Sequence, residues 1–417
     1  MSYKHYLDDV LSYVRSHHEY RARTLNLIAS ENIASPTVRK ILSSDLGHRY
    51  AVGFLYSRMY HGTRYIDRIE ELVGYLARKL FRCEHVNHIP VSGTLANLIM
   101  MDACLRPGDV LAAVSVLDGG HSSFKECSRV RGVSMVPLPF DEETYNIDVD
   151  ASIRLIHRIS PKLVLLGASE FLFPHPVAEL RDAVSEVNGI LAYDSAHVLG
   201  LIAGGKFQDP LREGAEIVTG STHKTFFGPQ GGIILCKRQF SEAIDNSALK
   251  LVNNHHINRV AALAAALCEM LEFGEKYAEQ TVRNAKALAE SLYERGINVL
   301  CPDLGFTESH QVLFDVGKGK AKNITGILED ANIITNPTPL PHDNSDMDMS
   351  GVRLGVQEIT RLGMKESEMV FIAELISKVL GGVSSSKIKT EVADLLSKFQ
   401  SIHYSFDDGL PAYDVFL

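Results

Sequence analysis

The sequence predicts an α/β fold: a large domain followed by a smaller C-terminal α/β domain. Three observations carry this. Short apolar runs alternate with helical stretches between about residues 86 and 235. Five of those runs end on small, polar or titratable residues, and in an open α/β sheet ligands gather at the carboxyl ends of strands. A long helical stretch from Ala261 to Arg295 then closes on Gly296, a C-cap residue, and carries the chain out of the large domain. The division expected is an N-terminal arm at 1–35, a large domain at 36–279 and a small domain at 280–417.

The arm opens with a helix whose spacing of Tyr6, Val10, Tyr13 and Val14 makes one apolar face, and an extended lead-in follows. Ser35-Pro36 supplies an N-cap and an N1 proline for a helix through about Leu46. Residues 49–65 are rich in tyrosine and arginine and too irregular for a core element. They read as a functional loop or as a solvated aromatic loop. A helix follows from about Ile66 to Phe81.

The five strand ends come next. The run Val86 to Pro90 precedes Ser92-Gly93-Thr94, and Val110 to Val116 precedes Gly119-Gly120-His121. Leu163 to Gly167 precedes Ser169, Ile190 to Tyr193 precedes Asp194, and Ile217-Val218 precedes a loop holding Lys224. The small domain takes strands from Gln311 to Val316 and Val352 to Leu354, with its last helices near 365–400.

Bulk numbers exclude several classes. Of the 417 residues, 45% are hydrophobic and 22% charged, the balance of a globular protein. A net charge of −9 argues against nucleic acid as a partner. No apolar run approaches the ~18 residues of a membrane span, and the N-terminus has no signal-peptide core. The six cysteines form no CxxC pair, which predicts reduced thiols, a cytoplasmic setting and no metal site.

The chain turns on Thr219-Gly-Ser-Thr-His-Lys-Thr-Phe-Phe-Gly-Pro-Gln-Gly-Gly232. One lysine, Lys224, sits among small and hydroxylated residues. Partly desolvated, its amine is a nucleophile for an aldehyde; a surface lysine on a loop is the plain alternative. Upstream, a buried strand ends on Asp194, with His197 three residues on. A carboxylate that keeps a pyridine nitrogen protonated, paired with a lysine that takes the aldehyde, is what pyridoxal phosphate needs. Alone, the aspartate is as well read as a helix cap. Ser92-Gly93-Thr94 opens a helix in the manner of a phosphate site or of an ordinary N-cap.

Asp194-Ser-Ala-His197 and Ser221 to Gly232 resemble the cofactor motifs of the serine hydroxymethyltransferase family. Leu27-Ile-Ala-Ser-Glu-Asn32 and Gly351-Val-Arg-Leu-Gly355 extend the likeness over nearly the whole chain. It is similar to the archaeal branch, and shares features with the threonine transaldolases derived from the family.

The resemblance implies the fold-type I, aspartate aminotransferase-like architecture, and pyridoxal 5'-phosphate as cofactor. It implies Lys224 as the Schiff-base lysine, Asp194 on the ring nitrogen and His121 stacked on the ring. Ser92, Gly93 and Thr94 would hold the phosphate, and Ser169, His197 and His223 would surround the ring. Arg353, helped by Ser30, would take the α-carboxylate of an amino acid, to which a guanidinium forks well. Tyr50 and Tyr60 would contact cofactor and substrate across a homodimer interface. The reaction implied breaks and makes the Cα–Cβ bond of β-hydroxy-α-amino acids, with an amino acid and an aldehyde as small-molecule partners.

One position departs from the family. The loop matching Tyr50-Ala-Val-Gly53 carries a glutamate after Tyr-Ala in the family, near the substrate hydroxyl and the tetrahydropterin. Here that position is Val52, which moves no proton. The expectation is retained pyridoxal chemistry with altered handling of the aldehyde: a pterin-independent transaldolase or aldolase. A hydroxymethyltransferase in which another group does the glutamate's work, with a tetrahydropterin, stays open, as does a pyridoxal-binding protein without turnover.

Overall fold

The structure, a computed structural model, describes residues 3–345 and 347–413. Seven strands form the central sheet. In chain order they are His85–Asn87 (β1), Val110–Ala113 (β2), Ser134–Pro137 (β3), Leu163–Gly167 (β4), Ile190–Asp194 (β5), Ile217–Ser221 (β6) and Gly232–Cys236 (β7). Their spatial order is β1-β7-β6-β5-β4-β2-β3. β7 runs antiparallel to both β6 and β1, and the other pairs are parallel. β4, β5, β6 and β7 are near-continuous apolar runs because helices cover both faces.

Register fixes what meets at the sheet's edge. Asp194 pairs with Gly167 on one side and Thr219 on the other, so the ends of β4, β5 and β6 come level. The helix Gly93–Cys104 starts beside them, capped by Ser92, whose Oγ accepts from Leu95 N at 3.1 Å. The apolar runs of the sequence overreach the strands here: the first stops at Asn87, before Pro90, and the second at Ala113. Proline has no N–H to give a ladder.

The helix Ile257–Glu294 is 38 residues long, four residues longer at its start than its pattern suggests. Its first half packs in the large core with Val260, Leu263 and Leu267. Its second half packs in another core, with Leu288 and Leu292 beside Val352 and Leu354. That second core surrounds a three-stranded antiparallel sheet of Gln311–Asp315 (β8), Asn336–Thr338 (β9) and Gly351–Gly355 (β10), in the order β8-β10-β9. Helices Glu366–Leu380 and Ser385–Leu396 close it.

The N-terminal segment behaves as two parts. Helix Lys4–Arg21 buries no residue, and its apolar stripe of Tyr6, Val10 and Tyr13 is exposed. The lead-in instead pairs Leu25–Asn26 with Ile333–Ile334 and sends Leu25 and Leu27 into the core around β8, β9 and β10. The next helix is Pro36–Leu42, shorter than expected, because Ser43 and Ser44 end it before a 3-10 turn at Asp45–His48. Residues 53–58 form a short hairpin, Gly53–Phe54 against Ser57–Arg58.

Arg58 ties that hairpin to the helix Arg64–Phe81 through Asp67 at 2.7 Å and Glu70 at 2.6 Å. Glu70 also meets His255 at 2.7 Å and His88 at 3.4 Å. Burial alone pushes its carboxyl up, yet the His255 and His88 contacts hold it well below the carboxylate range. Glu70, His88 and His255 are the one such donor group among the described residues with ligand atoms within 4.8 Å of one another. The Arg58 guanidinium already supplies the positive charge there, which makes the cluster an ion-pair network. No helix among the described residues is long and apolar enough to cross a membrane.

Candidate active site

The ends of β4, β5 and β6 and the start of the helix Gly93–Cys104 enclose a cavity of about 260 Å³. Ser92, Gly93, Thr94, His121, Ser169, Asp194, His197, His223 and Lys224 all line it. Residues far apart in the chain thus converge because the strand ends are level.

Lys224 is 9% exposed. Burial first, and then Arg353, lower its ammonium to about 8, against the pull of Asp194 and Glu170. Near neutral pH about a tenth is free amine, the form that attacks an aldehyde, far more than for an ordinary lysine. Its loop is rigid: Thr222 Oγ1 donates to Pro229 O at 2.7 Å, Thr225 Oγ1 to His197 O at 2.6 Å, and Asn32 Nδ2 to Lys224 O at 2.7 Å. Gly200 allows the close approach. A Cβ there would lie 2.2 Å from the Thr225 carbonyl carbon and oxygen. Gly200→Ala is therefore expected to cost about 2–4 kcal/mol by urea unfolding, more than an ordinary core substitution.

Asp194 is held ready for a cation. Its Oδ1 accepts from Ala196 N at 2.8 Å and its Oδ2 from Asn97 Nδ2 at 2.7 Å. Asn97 also donates to Ser123 Oγ at 3.1 Å and accepts from Thr219 Oγ1 at 2.7 Å. Ser123 in turn fixes His121: its N–H donates to His121 Nδ1 at 3.1 Å. Burial lowers the His121 pKa, so the ring is neutral and carries its proton on Nε2.

His197 is set the same way. Gln311 Oε1 accepts from Phe171 N at 2.9 Å, which orients the amide. Its Nε2 then donates to His197 Nδ1 at 2.9 Å and to Ser169 O at 2.9 Å. Burial, with Lys224 and Arg353 adding to it, drops His197 well below its usual pKa. Burial likewise brings His223 down to about 4, and its Nδ1 is enclosed with no partner among the described residues. A neutral, partnerless ring nitrogen is open to a ligand atom.

A second cavity, of about 300 Å³, adjoins the first, with His121, Ser169, His197 and Lys224 lining both. It adds Ser30, Glu170, Asn336 and Arg353. Arg353 is buried on β10, as its apolar neighbours suggest, and the partner it finds inside the protein is Glu170 at 2.9 Å.

Tyr50 and Tyr60 do not join these residues within one chain. Their rings face each other at 5.9 Å, each is about half exposed, and neither lines either cavity. The Arg58 ion pairs hold the hairpin between them against the helix Arg64–Phe81 instead. Val52 lies in the same loop, its carbonyl accepting from Met59 N at 2.9 Å. Sequence reasoning missed Asn97, Gln311 and Glu170. Asn97 follows the Ser92 cap on the same helix, a signal that could have been read; Gln311 and Glu170 carry none.

The cavity suits a flat, phosphorylated pyridine aldehyde. It offers a buried amine, a fixed carboxylate and a helix N-terminus. Gly93 has no room for a side chain, since a Cβ would stand 2.4 Å from Ser221 Oγ. Fold and site together define a pyridoxal-phosphate enzyme of fold-type I. A family model described as serine hydroxymethyltransferase matches residues 4–376. The chain belongs to the serine hydroxymethyltransferase family. It is 52% identical to the serine hydroxymethyltransferase of Methanopyrus kandleri, over 98% of each chain. Identity to that of Methanothermobacter marburgensis is 50%, again over 98% of each. The crystal structure of L-threonine transaldolase from Pseudomonas fluorescens superimposes with a TM-score of 0.91 at 31% identity, covering 97% of this chain and 94% of that one. Pyridoxal phosphate is the cofactor, and the enzyme is of the hydroxymethyltransferase and aldolase type.

Proposed function

We propose that the chain is a pterin-independent threonine transaldolase or aldolase, cleaving a β-hydroxy-α-amino acid to glycine and an aldehyde and passing the glycine carbon to a second aldehyde. The observation that carries this reading is Val52, an apolar residue in the loop where the family has its acid/base glutamate. Loss of such a group costs ~10²–10⁴ in rate in chemistry that depends on it. The likeness to a threonine transaldolase supports it.

In this reading Lys224 holds the cofactor aldehyde, Asp194 the ring nitrogen, and Ser92, Gly93 and Thr94 the phosphate. Ser169, His197 and His223 surround the ring, and Tyr50 approaches from a partner subunit. The cofactor supplies an electron sink for the pair left at Cα when the Cα–Cβ bond breaks. The protein does the rest. Arg353 and Ser30 fix the α-carboxylate, which holds the Cα–Cβ bond in a defined orientation. His121, neutral with Nε2–H turned away from Ser123, would cover one face and donate a hydrogen bond to the β-oxygen, with Tyr60 approaching from a partner subunit, while the β-hydroxyl proton leaves to another base. The Lys224 amine, lowered to about 8, would take that proton and, in cleavage to glycine, return it to Cα.

The site is shared in a cytoplasmic homodimer. Support comes from the half-exposed Tyr50 and Tyr60 and from the uncovered apolar stripe of helix Lys4–Arg21. The arm at 1–35, the large domain at 36–279 and the small domain at 280–417 are the units of this reading.

A serine hydroxymethyltransferase using a tetrahydropterin is the second reading, favoured by the names of relatives at about half identity. Aldehyde release from L-threonine and from L-serine, each with and without tetrahydropterin, separates the two. Threonine cleavage indifferent to the pterin is the expected result. Serine cleavage that depends on the pterin would overturn the proposal in favour of the second reading, and no release from either substrate would leave a pyridoxal-binding protein.

A further inference from the structure

Arg353 is more heavily engaged than a free carboxylate receptor should be. A guanidinium has five N–H groups. Nη1 uses both of its own, on Ser169 O at 2.8 Å and Glu170 Oε1 at 2.9 Å. Nε donates to Asn336 Oδ1 at 3.3 Å. Nη2 has no partner among the described residues. A carboxylate binds arginine through two adjacent nitrogens. Any such pair that includes Nη2 also includes Nη1 or Nε, so a full fork requires that one existing contact be given up.

Glu170 is the contact whose loss has an electrostatic consequence. Its side chain is buried, and Thr338 Oγ1 donates to the same Oε1 at 2.6 Å, so the carboxylate stays when the arginine turns away. Oε2 makes no hydrogen bond among the described residues, and Glu170 lines the cavity with Ser30 and Lys224.

We infer that Glu170 is a built-in competitor for the substrate carboxylate at Arg353, and that binding an amino acid transfers the guanidinium to the substrate while Glu170 takes up a proton. This rests on the reading that Arg353 receives the α-carboxylate. Two carboxylates sharing one cation cannot both stay charged cheaply. Burial already raises the Glu170 pKa, and Arg353 is the main group opposing that rise. Sharing Arg353 with a second anion raises it further. Proton uptake on binding means that affinity falls as pH rises through the Glu170 range. Each unit of the further rise corresponds to a tenfold change in affinity.

Two cations face Glu170, Arg353 from β10 and Lys224 from the loop after β6, together with the buried Tyr145, which burial keeps neutral. His121 and His197 line the same cavity. All are retained in Glu170→Gln; Lys224, whose ammonium Glu170 helps to hold up, loses that pull as well, so the comparison is read at pH values below about 7, where Lys224 stays charged in both proteins. The test is calorimetric titration of the holoenzyme with glycine, in buffers of different ionisation enthalpy, from about pH 5 to about pH 7. Wild type is expected to take up more protons than E170Q, by as much as one per site. E170Q is expected to bind glycine about tenfold more tightly at about pH 7, with the gain shrinking at low pH. Should E170Q fail to fold, Thr338→Val removes the hydrogen bond that steadies the charged form, and reduces uptake in the same direction. Equal proton uptake, or weaker glycine binding by E170Q, overturns the inference alone. Absence of glycine binding to wild type overturns the reading of Arg353 and the inference with it.

Discussion

Replacing Lys224 with alanine is expected to lower Cα–Cβ cleavage at least about 10³-fold, because the substitution removes both the aldehyde-binding amine and a proton carrier. The protein should still fold and still bind pyridoxal phosphate through the phosphate cradle, but borohydride should no longer fix the cofactor to it. In wild type, covalent loading of the cofactor-free protein should depend on pH. The ammonium is lowered to about 8 by burial, then by Arg353. Only the free amine reacts, so the loading rate should rise as pH passes upward through about 8 and level off above it. Stopped-flow absorbance across that range checks the sign. A loading rate that falls with rising pH, or a K224A protein that keeps full activity, would remove Lys224 from the chemistry.

The second large effect is expected at Arg353. Arg353→Lys should raise the KM for threonine about 10²-fold, since a charge-assisted hydrogen bond contributes about 1.5–3 kcal/mol and a single ammonium cannot serve Ser169 O, Glu170 and the substrate together. Folding stability should fall less than the about 3–5 kcal/mol usual for a broken buried ion pair. The reason is Glu170, whose pKa burial has already raised and which can answer the loss of its partner by binding a proton. Urea unfolding of R353K and R353A beside steady-state kinetics separates the two effects. An unchanged KM in both variants would place the substrate carboxylate elsewhere.

Much of this site was legible in one dimension. Lys224 stands between two apolar runs, Asp194 ends one strand and His121 follows another, and each lies where its local pattern puts it. The helix Arg64–Phe81 and the two closing helices also follow from their periodicity. Boundaries were less legible. Apolar runs continue past the ladder at Asn87 and Ala113, because side-chain character does not count hydrogen bonds. The short hairpin at 53–58 showed no alternation and is held by Arg58 reaching Asp67 and Glu70.

By itself the sequence determined the covalent inventory: a lysine, an aspartate and three histidines at or just beyond the ends of strands, an arginine within an apolar run, and a valine in a loop of tyrosines. Spacing along the chain is enough for that, since strand ends and caps are local properties. The tertiary structure decided which of these groups share a charge. Asp194 faces Asn97, His197 leans on Gln311, and Arg353 meets Glu170 across 183 positions of chain. No local pattern marks such pairs. They follow from the level ends of β4, β5 and β6 and from β8 and β10 packing beside them, and only register and packing set those.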